Sequence, residues 1–420
     1  MPTLEDIRKR VNQQLFERKK MSLIMELLKS NPAELYKKDV FQLVAMCGNG
    51  KLTDGSECCK EFREFLRNIM ESEHLFAYAD TCLTERAEKS EKGGLILQDV
   101  INELGRRLEY TVEDGLYQGK LNAIGNDGLW RDGNGHAIVV EVKTTDAYNI
   151  NLDTVAKYRN KLVDSKTIPS SSSILLVVGR EDTGGWEEQV RGSRHAWDTR
   201  IIGVEALKQL VSLKESSESA SVEKIHELLI PFEYTRLDRI ISIAFTVAED
   251  ATAAIEDEAP DEVEHEHDAT KSHQQTSGDI IGAIRTSIVE TLGLSYPPLV
   301  KKSRALFWSA DKTVRAAITI SKEYPDGHYW YAYHPDWDNF LRQCTTGLFV
   351  LGCVGRTEAF AIPYKWMHLR LEALNVSENK ITKRKHYQIS VYPTSNGQLC
   401  LRLNTGVDEP LESFKMSKGV

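Results

Sequence analysis

Residues 126–145, NDGLWRDGNGHAIVVEVKTT, constrain the fold more than any other stretch of this 420-residue chain. Asp132-Gly133-Asn134-Gly135 is a turn signal, because Gly and Asn tolerate the positive φ that tight strand connections need. The segments on either side of it, Leu129-Trp130-Arg131 and His136 to Thr145, are therefore expected as antiparallel neighbours. Side chains alternate faces along a strand, so Val140 and Val142 project one way and Glu141 and Lys143 the other. One face reads as core, while the other holds two opposite charges. Pairing Arg131 with residue 137 sets Asp127 directly opposite Glu141; pairing it with residue 136 misses by one, and a slip of one turns every side chain to the opposite face.

Two carboxylates held close on neighbouring strands offer hard oxygen ligands to a divalent cation such as Mg²⁺, which completes its octahedron with water and phosphate oxygens. Such an ion acidifies a bound water and neutralises charge developing on phosphorus, while an adjacent lysine orients the nucleophile or steadies the transition state. Asp127, Glu141 and Lys143 fit those parts. The plainer alternative is a surface ion pair on an amphipathic strand, since a Glu and a Lys two apart occur in many unrelated strands.

The pattern of Asp127, thirteen residues, then Glu141-Val142-Lys143 resembles the PD-(D/E)XK nuclease superfamily, nearest to its Mrr-type and Holliday-junction-resolvase-like members. The resemblance covers about residues 93 to 210. It implies an α/β restriction-endonuclease-like core, a mixed central sheet flanked by helices. Asp127, Glu141 and Lys143 would then be catalytic, with Asp127 and Glu141 binding Mg²⁺ and Mn²⁺ able to substitute. The order of elements suits it: a helix over Leu95 to Leu108, a strand over Glu109 to Tyr117, the hairpin, a helix over Leu152 to Leu162, a strand over Ile174 to Val178, and a strand and helix over Arg200 to Leu213. Asn126 stands where the superfamily's variable proline would be. Mrr-like members often supply a Glu from the first helix, and here Gln98 occupies the matching place, with Asp99 and Glu103 nearby. A Gln there could ligate or orient water without adding charge. Related nucleases also carry a Gln and a Tyr on the helix after the catalytic strand; this chain has Thr154 and Tyr158, which makes Tyr158 a candidate DNA-positioning residue or simply a half-buried helix aromatic.

A chain of this length holds two or three domains. Net charge of −9 looks wrong for a nucleic-acid protein until it is divided along the chain. Glu249 to Ser295 has two basic and twelve acidic residues, whereas Tyr296 to Val420 has seventeen basic and eleven acidic. Residues 1–90 read as a helical region, with Leu4, Ile7, Val11 and Leu15 in one stripe, Ser30-Asn31-Pro32 as a cap, Gly48 after a helix, and Ser56 capping Glu57 to Ser72. Bracing the nuclease or dimerising suits such a bundle better than a helix-turn-helix. Residues 91–248 form the nuclease domain with trailing helices, and 249–278 an acidic flexible linker in which His265, His267 and His273 read as solvated rather than metal-binding. A short helix, Asp279 to Leu292, then opens the C-terminal domain, 279–420. Seven cysteines without CxxC spacing, and the lack of an apolar leader or a span of ~20 apolar residues, point to a soluble cytoplasmic protein with reduced thiols.

From Leu299 the texture becomes strands: RALFWS, VRAAITIS, HYWYAYH, GLFVLGCV, EAFAIP, HYQISVYP and QLCLRLN, interrupted by one helix, Tyr364 to Leu371. This reads as a strand-rich α+β domain, a curved sheet or small barrel. Its aromatic segment, with Trp330 and Trp337 as surface candidates, and its basic segment, Lys383, Arg384 and Lys385, supply the stacking faces and cations of nucleic-acid binding. Alternatively the aromatics fill the core and the cations lie in a solvated loop.

The expectation is a metal-dependent endonuclease hydrolysing double-stranded DNA, a restriction or phage-defence enzyme with a separate C-terminal recognition domain, working as a homodimer because two strands need two active sites. Three alternatives stay open. One is a DNA repair or junction-resolving nuclease. Another is a defence effector whose C-terminal aromatics line a ligand-sensing cavity beside Arg or Lys. The last is an inactive nuclease-derived DNA-binding protein, against which the intact Asp127, Glu141 and Lys143 argue.

Overall fold

The computed structural model describes residues 22–84, 92–118, 125–144, 151–179, 184–216, 222–231, 276–378 and 385–417. The chain is a mixed α/β protein whose contacts divide into two compact units, Met1–Val211 with His226–Tyr234, and Ser212–Ile225 with Thr235–Val420.

The first unit begins with α1 (Leu23–Ser30), α2 (Pro32–Tyr36), α3 (Val40–Met46), α4 (Glu57–Arg67) and α5 (Ser72–Cys82). Local side chains start several of them. Asn31 accepts from Glu34 N with Pro32 in the first turn, Asp39 and Gln42 form a reciprocal capping box, and Ser56 accepts from Cys59 N. Gly48, at φ +45°, follows α3. The helix expected from Glu57 to Ser72 stops at Arg67, and Ser72 opens α5 instead. Of these helices, α4 and α5 lie against α6 (Gly93–Arg107). Arg63 bonds Asp99 at 2.9 Å and the Gly115 carbonyl at 3.0 Å, and Arg107 reaches back to the Ile69 and Met70 carbonyls. Thus α4, α5 and the turn between them brace α6.

A five-stranded sheet follows, in the order β1 (Thr111–Asp114), β2 (Gly128–Arg131), β3 (Ala137–Lys143), β4 (Ser173–Val178) and β5 (Thr199–Gly203). The first three strands are antiparallel and the last three parallel, with α7 (Leu152–Asp164) and α8 (Gly184–Gly192) in the two crossovers. The expected strand over Glu109 to Tyr117 is shorter, because Glu109 sits at φ +68° and the strand starts only at Thr111. α9 (Val204–Ser216) and α10 (Val222–Leu229) come next. The helix α6 packs one face of the sheet at very close range: a Cβ on Gly105 would lie 2.5 Å from the Trp130 ring, and one on Gly128 would lie 2.1 Å from Asn102 Oδ1. On the other face Leu129, Ala137 and Val139 form a core with Leu162 of α7, and β4 packs Leu152, Val155, Trp186 and Val190.

The second unit opens with α11 (Thr276–Ser295), three residues earlier than the helix expected at Asp279; the rest of the expected linker, 249–275, lies outside the described residues. Two sheets follow. The six-stranded one runs β16 (Lys415–Ser417), β11 (Glu358–Pro363), β10 (Thr346–Cys353), β8 (Val314–Ser321), β7 (Leu306–Ser309), β6 (Leu299–Lys301). The five-stranded antiparallel one runs β12 (Asn375–Glu378), β13 (Lys385–Pro393), β14 (Leu399–Arg402), β15 (Asp408–Pro410), with β9 (Tyr329–Tyr333) also paired to β13. One core cluster joins them, including Tyr329, Tyr331, Tyr333 and Ile389 from one sheet and Phe349, Leu351 and Phe360 from the other. Two helices, not one, interrupt the strands: α12 (Pro335–Arg342) and α13 (Tyr364–His368). Among the described residues no helix is long and apolar enough to cross a membrane, and the seven cysteines are free thiols.

Candidate active site

The hairpin register pairs Arg131 with Ala137, Trp130 with Ile138 and Gly128 with Val140. Continued one residue past the end of β2, it sets Asp127 opposite Glu141, the alternative that brings the carboxylates together rather than the slipped one. Alternation then places Asp127, Glu141 and Lys143 on the face of Leu129, Ala137 and Val139, the face covered by α7. One turn before Leu162 on that helix stand Tyr158 and Arg159, both half-buried.

Asp127 is held by both its backbone and its carboxylate. Its N–H donates to Val140 O at 3.1 Å, and its carbonyl accepts from Gly115 N at 3.0 Å, Gln98 Nε2 at 3.1 Å and Asn102 Nδ2 at 2.9 Å. Its carboxylate Oδ2 accepts from Val142 N at 2.7 Å, so a side chain takes an acceptor place on the ladder where β2 has ended. Burial, and then the charge of Glu141, push the Asp127 carboxyl up to about 7, against the pull of the Val142 N–H and Lys143. Glu141 is buried; its Oε1 accepts from Lys143 Nζ at 2.6 Å, and its Oε2 is buried without a hydrogen-bond partner. Burial opposes the charge on Lys143, yet Glu141 and Asp127 outweigh it and raise its pKa.

The other sequence candidates fall in different places. Gln98 lies on α6, against the opposite face of the sheet, and reaches the site through the Asp127 carbonyl, as a positioning residue. Asp99 and Glu103 are engaged by Arg63 and by Arg106 and Arg107. Tyr158 is half-buried, and its hydroxyl stands 3.2 Å from where a Gly125 Cβ would be. Asn102 was missed by the sequence reading. It also accepts from Trp130 Nε1 at 2.9 Å, so one amide ties the hairpin to α6. The available signal was an amide pair four apart, Gln98 and Asn102, on a helix that also carries Ile96, Leu97, Val100, Ile101 and Leu104.

In the second unit Trp337 is a correction. It is 5 % exposed, on α12, with its ring edge-on to Tyr333 at 6.3 Å, so it belongs to the core rather than to an open stacking surface. Pro335 sets the first turn of that helix and turns the aromatic run inward. Trp330 is half-buried on β9 and Lys385 is exposed at the start of β13; Lys383 and Arg384 lie outside the described residues.

No protein-family model matches the chain, and a search of curated proteins finds no match.

Proposed function

We propose that the chain is a metal-dependent endonuclease of the PD-(D/E)XK type, with a restriction-endonuclease-like core that hydrolyses phosphodiester bonds of double-stranded DNA. The observation that carries this reading is the meeting of Asp127 and Glu141 on neighbouring strands with Lys143 bonded to Glu141 at 2.6 Å. The mixed sheet, antiparallel through β3 and parallel beyond it, with α6 on one face and α7 on the other, supports it as well.

The donor set fits Mg²⁺. Both ligands are carboxylates, and the Glu141 Oε2 atom is buried without a partner, an arrangement that costs free energy unless a cation satisfies it. Asp127 and Glu141 would hold the ion, and when bound it supplies an acidified water and charge neutralisation at phosphorus. Lys143 orients the attacking water and balances negative charge developing on the phosphoryl oxygens. Gln98, Asn102 and the Gly115 N–H fix the Asp127 backbone, so the carboxylate does not have to be reorganised during the reaction.

A restriction or phage-defence role in the cytoplasm suits a cutter with a second, separately cored unit, and cutting both strands requires two copies of the site, hence a homodimer. One observation favours a second reading, a defence effector with a ligand-sensing C-terminal domain: aromatic and cationic residues of the second unit share a cleft. The test is incubation of methylated and unmethylated plasmid with the purified protein in Mg²⁺ or EDTA, with mapping of any ends. Mg²⁺-dependent cleavage that EDTA stops is the expected result; intact plasmid under every condition counts against the reading.

A further inference from the structure

Trp197 is an indole left 75 % exposed in the turn between α8 and β5, and the turn that carries it is not loose. Ser193 Oγ donates to the Val190 carbonyl at 2.9 Å and accepts from His195 N at 3.1 Å. The Asp198 N–H bonds His195 O at 3.1 Å, and the Asp198 carbonyl accepts from Ile174 N at 2.7 Å, at the start of β4. Both ends of the turn are also fastened to α7. His195 Nε2 lies 2.8 Å and Arg194 Nη2 3.1 Å from one oxygen of Asp153, and Arg159 stands 3.7 Å from the Asp198 carboxylate. A large apolar ring held out in water by a fixed backbone is already ordered for contact, so a partner that covers it gains the burial without first having to order the turn.

Strand alternation tells which side of the sheet the ring serves. Ile201 packs against the cluster of Val155, Ile174 and Leu176 on the α7 side, and the same face of β5 continues through Thr199 to Trp197. That is the face on which Asp127, Glu141 and Lys143 stand. Glu141 is in register with Leu176, and Leu176 with Ile201. Two strand spacings across and four residues along therefore separate Trp197 from Glu141, about 10 Å and 13 Å, or roughly 16 Å in the plane of the sheet. At ~3.4 Å per step this is about five base steps, so one bound duplex reaches both places. Between them runs the outer ridge of α7, where Asp153, Lys157 and Lys161 follow at single-turn spacing. Both lysines are exposed, and neither makes an ion pair among the described residues, whereas Asp153 and Asp198 are engaged by Arg194, His195 and Arg159. A cationic ridge bordered by a flat aromatic ring suits a nucleic-acid strand, with phosphates for the ammonium groups and a base for the indole. A second copy docked on the same turn by a two-fold axis would instead bring two lysine ridges near each other, which like charge opposes.

We propose that Trp197 is a DNA contact of the first unit: a duplex with a phosphodiester at the carboxylate site runs over the α7 ridge, and the indole enters its base stack as a wedge. The inference rests on the nuclease reading and adds to it the path that DNA takes on the first unit.

The full chain, Trp197→Phe and Trp197→Ala are titrated in EDTA with duplexes carrying 2-aminopurine, a base whose fluorescence rises when it leaves the stack, at successive positions. With unlabelled duplex, the emission of Trp197, taken as the difference between the wild type and Trp197→Phe, shows how far DNA shields the ring from acrylamide. Nicking of plasmid in Mg²⁺ is read on the same preparations. The expected result is shielding of Trp197, brightening of 2-aminopurine by the wild type, and loss of that brightening in Trp197→Ala with binding roughly tenfold weaker, the size of one lost stacking contact; Trp197→Phe keeps most of the affinity. Because the ring is exposed, its removal leaves the core untouched. Shielding and unstacking without nicking leave the contact standing and count against the nuclease reading. Nicking with Trp197 still open to acrylamide, or Trp197→Ala binding and unstacking DNA as the wild type does, overturns the contact and leaves the nuclease reading intact. Absence of any DNA binding overturns both, and shielding that grows with protein concentration in the absence of DNA assigns the turn to a second copy of the chain and overturns the proposal.

Discussion

At the residue scale, Asp127, Glu141 and Lys143 do different work, and their substitutions separate accordingly. Glu141→Ala and Lys143→Ala should each abolish Mg²⁺-dependent cleavage while DNA binding persists, because phosphate contacts elsewhere position the substrate. Paired gel-shift and plasmid-nicking assays check this, and undiminished cutting by either variant removes the active-site assignment. Asn102→Ala touches neither carboxylate, yet it strips a donor from the Asp127 carbonyl and leaves the buried Trp130 N–H without its acceptor. It should cost roughly 1–3 kcal/mol in urea unfolding and raise the Mg²⁺ concentration needed for cleavage. Unchanged stability would mean the amide is not the tie between helix and hairpin. The three charged residues were legible in the sequence because strand alternation and turn chemistry are local properties. Asn102 was not, since its partner carbonyl is 25 residues away and only the packing of α6 on the sheet brings the two together.

At the scale of elements, α6 carries a titrating device of its own. Asp99 is fully buried between Arg63 and the Tyr117 hydroxyl, and burial pushes its carboxyl up to about 6, with Arg63 and Tyr117 pulling the other way and Asp114 adding to the rise. A raised carboxyl stabilises the fold fully below the unfolded value near 4, and that contribution is lost as pH rises through about 6. Relative to Asp99→Asn, the wild type should therefore lose roughly 3 kcal/mol between about pH 4 and pH 7, and parallel thermal-melting profiles of the two proteins would contradict it. The long elements were readable from periodicity, as α6, α7, β3 and β4 show. Short ones were not: β6, β15 and β16 have three residues each, too few for alternation to register. The helix α12 was hidden for another reason, because Trp337 read as part of an aromatic surface segment while Pro335 and the acidic first turn marked a helix start.

At the scale of the whole molecule, the chain has two units with separate sheets and separate cores. Residues 276–420, produced alone, should melt cooperatively, since the cluster around Tyr331 and Phe349 lies wholly within them. If this fragment also binds duplex DNA, its affinity should fall with salt at a log-log slope of about −0.9 per phosphate neutralised, and replacing Lys383, Arg384 and Lys385 together should flatten that slope. A fragment that folds but shows no such binding at low salt would leave the first unit to find the proposed substrate itself. The division into units also has a consequence in time. The last segment of the first unit ends at Tyr234, whereas the second continues to Val420. At ~5–20 residues per second of synthesis, the carboxylate site can assemble roughly ten seconds or more before the second unit is complete. On the proposed function, a nascent chain would during that interval carry a cutting site with no second unit to direct it. A site that cuts both strands only when two copies meet is silent then, so dimerisation would act as a timer as well as a geometric requirement.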